Sequence, residues 1–147
     1  MINAKSELIT WSPTFACGVK VIDDQHKGLI DLVNEMFNHV TGNDREEHDY
    51  FNKVIKEAVN YIKVHFATEE EIMRATKFGS LFEHKRAHES FILTVVESIQ
   101  DYKNGKKYTL VSFTKFLKDW ILSHVAVMDK QYFEHFKKSM PVIDQME

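Results

Sequence analysis

The chain has 147 residues, of which 44% are hydrophobic and 28% charged, and its formal net charge is −3. This length suits one domain with a real core, and the composition excludes a disordered chain. The slight negative charge disfavours nucleic acid and an anionic membrane as partners. Cys17 is the single cysteine, which excludes an intrachain disulfide and favours a reducing compartment. Without a signal-peptide pattern or an apolar run of about 18 residues, a cytoplasmic location is expected.

An irregular arm is predicted for residues 1–18, because Pro13 and Gly18 interrupt regular structure there. Trp11 and Phe15 are large apolar side chains within this arm. We expect them to fix the arm on the body of the protein.

Four amphipathic helices follow the arm, because apolar residues recur with a helical period between polar or glycine-containing segments. Their expected ranges are about 23–40, 44–79, 80–105 and 109–128. Aspartate at 23 or 24 is expected to cap the first helix, and Ser80-Leu-Phe-Glu83 matches a capping box for the third. A shorter helix is expected from about Lys130 and ends before Pro141. Short connections between such helices predict an all-α fold, an antiparallel four-helix bundle with an N-terminal arm and a short C-terminal helix.

Five histidines and two carboxylates lie on or beside the apolar stripes of these helices. They are His26, His65, Glu69, His84, His88, His124 and Asp129. Burying so many ionisable groups without a cation is unfavourable, and a wholly structural protein is disfavoured for that reason. His65 with Glu69, and His84 with His88, are four residues apart, so each pair shares a helix face. One such spacing is weak evidence, but the whole set predicts a buried site for first-row transition metals within the bundle.

Seven ligands are too many for one tetrahedral ion, and zinc or manganese stays compatible with these ligand types. The chain is therefore treated as one domain, 1–147, with the arm at 1–18. The metal-binding bundle spans about 19–129, and a C-terminal segment spans about 130–147.

His124 and Asp129 are five residues apart, which is an offset of roughly 140° on a regular helix. Both can reach one site only if the helix is distorted between them. We therefore predict a π-type distortion or a break near residues 125–128, since such bulges favour functional sites.

Several polar residues close to these motifs are placed outside the site. Helical phase directs Glu70 and Glu71 away from the other ligands, so both are expected on a solvated face. Cys17 is expected to be a packed, inert thiol, and Tyr132 is given no redox role. Three histidines are expected to be surface or capping residues: His39, His48 and His135.

The segments IDDQHKGLIDLVNEMF, HFATEEEIM, HKRAHESF and HVAVMDKQY closely resemble the hemerythrin family, and within it the single-domain bacteriohemerythrins. The resemblance extends from about Trp11 to Tyr132 and contains every expected ligand type in the expected order. It implies a four-helix bundle around a non-haem di-iron centre that binds O2 reversibly.

The resemblance also implies a role for each ligand. One iron would be held by His84, His88 and His124. The second iron would be held by His26 and His65. Glu69 and Asp129 would bridge the two, with an oxo or hydroxo group as third bridge, giving one di-iron centre per chain. O2 would bind at the open position of the iron that has two histidines, and NO or other small anions are expected there as well.

An apolar wall around bound O2 is a further implication of the resemblance. Its members would be Leu29, Phe66, Trp120, Ile121 and Val125. Such a wall would exclude water from the site. Each of these side chains is also an ordinary core residue.

The leading functional expectation is an O2-binding protein for storage, delivery or scavenging, and not an enzyme. The histidine-rich ligand set favours stable O2 binding over strongly oxidising iron. One alternative is a di-iron redox enzyme acting on peroxide or NO. Another is an O2 or redox sensor that acts through a partner, because the bundle leaves no output module. Iron storage is disfavoured by the small capacity of two ions, and the redox partner stays open.

Overall fold

The computed structural model describes residues 7–104, 110–128 and 132–146, and over these ranges the chain is a bundle of helices without a strand. Four long helices build the bundle: α1 (Lys20–Asn38), α2 (Asp44–Ala75), α3 (Leu81–Lys103) and α4 (Leu110–Trp120). After α4 the chain continues directly as a π-helix (Ile121–Met128). The C-terminal part forms two short helices, α5 (Phe133–Lys138) and α6 (Met140–Met146), and the N-terminal arm contains one turn of 3-10 helix (Pro13–Phe15). The predicted all-α bundle is confirmed.

Contacts between residues on neighbouring helices show the relative directions of those helices. Gln25 on α1 meets Thr68 on α2, whereas Gly28, almost one turn further along α1, lies against Tyr61. The numbers rise on one helix as they fall on the other, so α1 and α2 are antiparallel. α3 runs back along α2 in the same way, and α4 packs on α1.

The start of α1 differs from the prediction. The helix begins at Lys20, and its N-cap residue Val19 provides no side-chain hydrogen bond. The expected cap, Asp23, instead accepts hydrogen bonds from the backbone N–H groups of Cys17 at 2.7 Å and Gly18 at 3.2 Å. Its carboxylate thus stabilises the loop in which Gly18 has a positive φ of 89°, a conformation that glycine adopts without strain.

The structure also differs from the sequence-based prediction at the starts of two other helices. Ser80 precedes α3 but makes no capping hydrogen bond, because its backbone (φ −97°, ψ 20°) lies outside the extended region typical of an N-cap. The predicted C-terminal helix does end before Pro141, since α5 ends at Lys138, but an unpredicted helix, α6, begins at Met140 and holds the proline in its first turn. Proline is tolerated there because the first-turn N–H groups have no partner within the helix.

The N-terminal arm is held on the bundle, as expected. Phe15 is buried and Trp11 packs beside it, with their ring centroids 5.9 Å apart. Asn34 on α1 adds three polar contacts: its Oδ1 accepts from the N–H groups of Leu8 and Ile9, and its Nδ2 donates to the carbonyl of Ile9.

Two apolar cores fill the bundle, and the candidate ligands lie between them. The larger core includes Leu29 and Phe66, and the smaller core includes Ile22 and Ile72. On α1, His26 falls between Ile22 and Leu29, and on α2 Glu69 falls between Phe66 and Ile72. The polar layer therefore crosses the bundle with apolar side chains above and below it. Among the described residues, no helix has both the length and the apolar character needed to cross a bilayer.

The residues placed outside the site by the sequence reading mostly behave as expected. Cys17 is buried in the smaller core, and burial raises the pKa of its thiol, so it is present as an inert thiol. Capping and surface roles are confirmed for three histidines: His39 at the end of α1, His135 donating to the Thr76 carbonyl that ends α2, and His48 stacked on Tyr102.

Candidate metal centre

One group of potential ligands lies where α1 meets α2. His65 and Glu69 are one helical turn apart, and the Nε2 atom of His65 is 2.8 Å from Oε1 of Glu69. His26 reaches the same oxygen from α1, with its Nε2 atom 3.3 Å away. All three side chains are at most 1% exposed. Two imidazoles and one carboxylate oxygen therefore converge in a dry environment.

A second group shares the same carboxylate. Oε2 of Glu69 lies 3.3 Å from Nε2 of His88, and that nitrogen lies 3.2 Å from Nε2 of His124. In each group the potential ligand atoms all lie within 4.8 Å of one another. Glu69 belongs to both groups, with one oxygen facing each. This is the arrangement that a carboxylate bridging two cations requires.

The remaining two predicted ligands have different outcomes. His84 is buried beside the second group, with its ring centroid 6.0 Å from that of His124 and 6.3 Å from that of His88. It is therefore close to the second group, although its nitrogen is not within the cluster of converging atoms. Asp129 lies outside the described residues, so its role as a ligand stays a prediction.

The predicted helix distortion before Asp129 is confirmed. Residues 121–128 form a π-helix, which turns less per residue than an α-helix. His124 lies in this segment, directly after α4. The wider turn is the local feature that the five-residue spacing from His124 to Asp129 requires.

Hydrogen bonds on the outer ring nitrogens orient three of the histidines. His26 Nδ1 donates to the carbonyl of Phe15 at 2.8 Å, and His65 Nδ1 donates to Oε1 of Gln25 at 2.7 Å. His88 Nδ1 donates to Oε2 of Glu70 at 2.9 Å. Because each Nδ1 donates outward, each Nε2 can present a lone pair to a bound cation, which is the tautomer a metal ligand needs. In the metal-free protein the same Nε2 atoms can instead carry a proton toward Glu69.

The contact with Glu70 contradicts the expectation that this residue lies on a solvated face. Helical phase does turn Glu70 away from Glu69, but it turns it toward α3, where His88 lies. Its side chain is only 19% exposed. Glu71, by contrast, is 57% exposed and pairs with Arg74, as expected of a solvated face.

Tyr132 is a site residue that the sequence reading missed. It is fully buried beside the start of α5, and its hydroxyl donates to Oε1 of Glu69 at 3.1 Å. No motif spacing identified it, because its contact with Glu69 joins residues 63 positions apart in the sequence. Its expected lack of a redox role stays a prediction.

The electrostatics favour an ionised carboxylate at Glu69, a neutral imidazole at His124 and a protonated imidazole at His88. Burial alone would raise the pKa of Glu69, but the adjacent His65 and contacts with His26 and His88 outweigh it and hold that pKa well below its usual range. Burial lowers the pKa of His124 to about 3. Burial also opposes the charge on His88, yet its contacts with Glu69 and Glu70 leave the pKa of His88 raised. A cation would compete directly with that proton.

The donor set fits a pair of transition-metal ions. Oε2 of Glu69 is buried and accepts no well-directed hydrogen bond from the described residues, so a cation would supply its missing partner. Imidazole and carboxylate together suit iron, zinc or manganese. Desolvation makes this layer unfavourable without positive charge, and six of the predicted ligands, all but Asp129, are buried in it.

The five residues predicted to surround O2 lie in or against the larger core. Four are buried: Leu29, Phe66, Ile121 and Val125. Trp120 is partly buried and stacks on His124 with ring centroids 4.6 Å apart, and Phe66 stacks on His88 at 3.8 Å. Aromatic rings therefore cover two candidate ligands. Their assignment to an O2 pocket stays a prediction.

Comparisons with known proteins agree with this geometry. Residues 17–136 match the family model described as the hemerythrin HHE cation binding domain. A bacteriohemerythrin from Stenotrophomonas maltophilia is 31% identical over 130 residues, which cover 88% of this chain and 82% of that protein. One from Methylococcus capsulatus is 27% identical over 126 residues, with coverages of 85% and 94%. The crystal structure of a wild-type hemerythrin aligns with a TM-score of 0.75 at 27% identity, covering 86% of this chain and 96% of that one. The chain belongs to the hemerythrin family, whose members classically bind O2 at a non-haem di-iron centre.

Proposed function

We propose that this protein binds O2 reversibly at a di-iron centre, for storage, delivery or scavenging. The observation that carries the proposal is the position of Glu69, whose two oxygens face two separate groups of imidazoles inside a dry core. A pair of irons held there would supply the two electrons that reversible O2 binding needs. The histidine-rich ligand set supports binding over enzymatic turnover.

The ligands we assign follow the two groups. His26 and His65 would hold the iron at which O2 binds. His84, His88 and His124 would hold the other iron, and Glu69 and Asp129 would bridge the pair. NO or small anions would compete for the O2 position. The irons would be joined by an oxo or hydroxo group, with one centre in each chain.

The residues around the site have two tasks in this proposal. The hydrogen bonds from Nδ1 of His26, His65 and His88 keep each ring in its orientation, so no rearrangement is needed when the centre changes charge. The apolar side chains on the larger-core side, from Leu29 to Val125, would exclude water and protons, which would otherwise release the bound O2 as peroxide and leave both irons ferric. We also treat the arm, the bundle and the C-terminal helices as one domain, since Asn34 and Tyr132 tie the two ends to the bundle.

The direct test is to load the protein with iron without air, count iron per chain, and record the visible spectrum before and after O2. Two irons, with charge-transfer bands that appear with O2 and vanish when it is removed, would support the proposal. Two irons that oxidise at once without a reversible spectrum would favour a redox enzyme or sensor. The control pair is Glu69→Gln, which should lose stoichiometric iron, and Glu71→Gln, which should retain it.

A further inference from the structure

The two halves of the centre differ in what supports their histidines. On the side of His88, the partner of the outer nitrogen is a carboxylate, Glu70. On the other side, the partners are neutral: the amide of Gln25 behind His65 and the carbonyl of Phe15 behind His26. A carboxylate makes a ligating imidazole more basic than a neutral acceptor does, because the hydrogen bond is charge-assisted.

The amide of Gln25 is fixed as a neutral acceptor by its own contacts. Its Nε2 donates to Oγ1 of Thr68 at 3.1 Å, and that hydroxyl donates onward to the carbonyl of Val64 at 2.9 Å. The hydroxyl of Thr68 can therefore only accept from Gln25, which leaves the amide oxygen facing His65. The backbone carbonyl of Gln25 also accepts from Tyr61 at 3.1 Å, which holds this part of α1 in place.

Glu70 occupies a different setting. It lies at the edge of a surface groove of about 480 Å³ between α2 and α3, with Phe66 and His88 in the same wall and Lys63 nearby along α2. Its side chain is mostly shielded from solvent, so its charge acts on His88 through a low-dielectric medium. The groove still gives one side of the carboxylate access to water, so the charge is not fully desolvated.

We propose that Glu70 is a positioning residue that makes the three-histidine iron easier to oxidise than the two-histidine iron. This inference rests on the proposed di-iron function. The charge-assisted hydrogen bond strengthens His88 as a donor and stabilises the more positive ion on its side. In protein that has lost one electron, the extra positive charge therefore lies with His84, His88 and His124. The half at which O2 would bind stays reduced.

The test is a stepwise redox titration of the iron-loaded protein without air, using ferricyanide as a one-electron oxidant. Each step moves one electron from the centre to ferricyanide and makes or breaks no bond. Glu70→Gln keeps an oxygen that can accept from His88 but removes the charge. We expect the first oxidation to become about tenfold less favourable, which is about 59 mV for one electron. The second oxidation should move much less.

Glu71→Gln is the matched control, because it makes the same change of charge at the next residue on an exposed side chain. It should leave both steps close to those of the unaltered protein. Gln25→Glu is the reciprocal variant, since it places a carboxylate behind His65, and it should make the second oxidation easier. Equal shifts in Glu70→Gln and Glu71→Gln would overturn the inference, as would movement of only the second step in Glu70→Gln.

Iron counting separates this inference from the proposed function. If the unaltered protein does not hold two irons, the proposed function fails before any potential is compared. If it holds two irons and Glu70→Gln leaves the first step unmoved, only the inference fails. Should Glu70→Gln hold less iron, Glu70→Asp keeps the charge with a shorter reach to His88. In Glu70→Asp we then expect the first oxidation to become less favourable, but by less than in Glu70→Gln. A first oxidation that does not change in Glu70→Asp refutes the inference.

Discussion

The hydrogen bond from Tyr132 to Glu69 leads to a quantitative prediction for the metal-free protein. Tyr132→Phe removes one hydroxyl and leaves the ring in the smaller core, so no cavity forms. A hydrogen bond to a charged group contributes about 1.5–3 kcal/mol. Oε1 of Glu69 keeps contacts with His65 at 2.8 Å and His26 at 3.3 Å, so it is not left without partners. We therefore expect a loss near the lower limit, about 1.5–2 kcal/mol.

The assay is urea unfolding of metal-free protein, followed by tryptophan fluorescence and far-UV circular dichroism. Metal-free protein is used because bound metal would add its own binding free energy to the stability. A loss of about 1.5–2 kcal/mol corresponds to about 4–6 °C in Tm for a domain of this size. The slope of the unfolding free energy against urea should not change, because the buried surface is the same.

Tyr50→Phe is the matched control for this measurement. The hydroxyl of Tyr50 is also buried, but it has no hydrogen-bond partner among the described residues, and burial raises the pKa of Tyr50 to about 12. Its ring stacks on His39 and would do so equally as phenylalanine. Removing an unpartnered hydroxyl should be neutral or slightly stabilising. If both variants have the same free energy of unfolding, the assignment of the Tyr132 hydrogen bond to Glu69 is refuted.

Three further predictions concern packing, water exclusion and pH. Gly28→Ala places a methyl group against the hydroxyl oxygen of Tyr61, so we expect the free energy of unfolding to fall by about 1–3 kcal/mol despite the higher helix propensity of alanine. Urea unfolding measures this loss. Partial recovery of stability in the double variant with Tyr61→Leu would identify the clash as its cause. Leu29→Ser should accelerate loss of the O2 adduct in iron-loaded protein by admitting water, and an unchanged decay of the visible bands would argue against a protective wall. In metal-free protein the pKa of His124 falls from 6.5 to about 3 on folding, so its contribution to stability is present above pH 6.5 and is lost as the pH falls toward 3. His88 has a raised pKa and acts in the opposite sense, so the diagnostic result is a weaker pH dependence over this range in His124→Asn than in the unaltered protein.

The sequence predicted the structural elements that depend only on residues close together in the chain. Apolar periodicity predicted four helices to within a few residues, and the five-residue spacing from His124 predicted a π-type distortion or a break where the structure has a π-helix. Both depend on the geometry of a single helix. The expected positions of His26, His65, Glu69 and His88 in one buried layer were also correct, because inward-facing stripes of a bundle meet by construction.

The errors arose where a residue's partner lies elsewhere in the chain. Helical periodicity correctly predicted that Glu70 points away from Glu69. The periodicity of one helix does not show that α3 lies on that side, where His88 donates to Glu70. Aspartate is a residue type that often caps helices, but the carboxylate of Asp23 instead accepts hydrogen bonds from the backbone N–H groups of Cys17 and Gly18. The helix expected to end before Pro141 does so, but α6 was not predicted, because a proline that follows one helix can also lie in the first turn of the next.

In the part of the chain that the structure describes, His26, Glu69 and Tyr132 lie where the larger and the smaller apolar core adjoin. In metal-free protein this polar layer has no cation to hold it together, so we expect α5 and α6, which pack in the smaller core, to open more readily than the larger core. Two cations bound to side chains from α1, α2, α3 and the π-helix would join the two cores. Whether the chain unfolds in one transition or two is then set by its metal content, and hydrogen exchange in α5 and α6 would report how much of a cellular pool carries its metal.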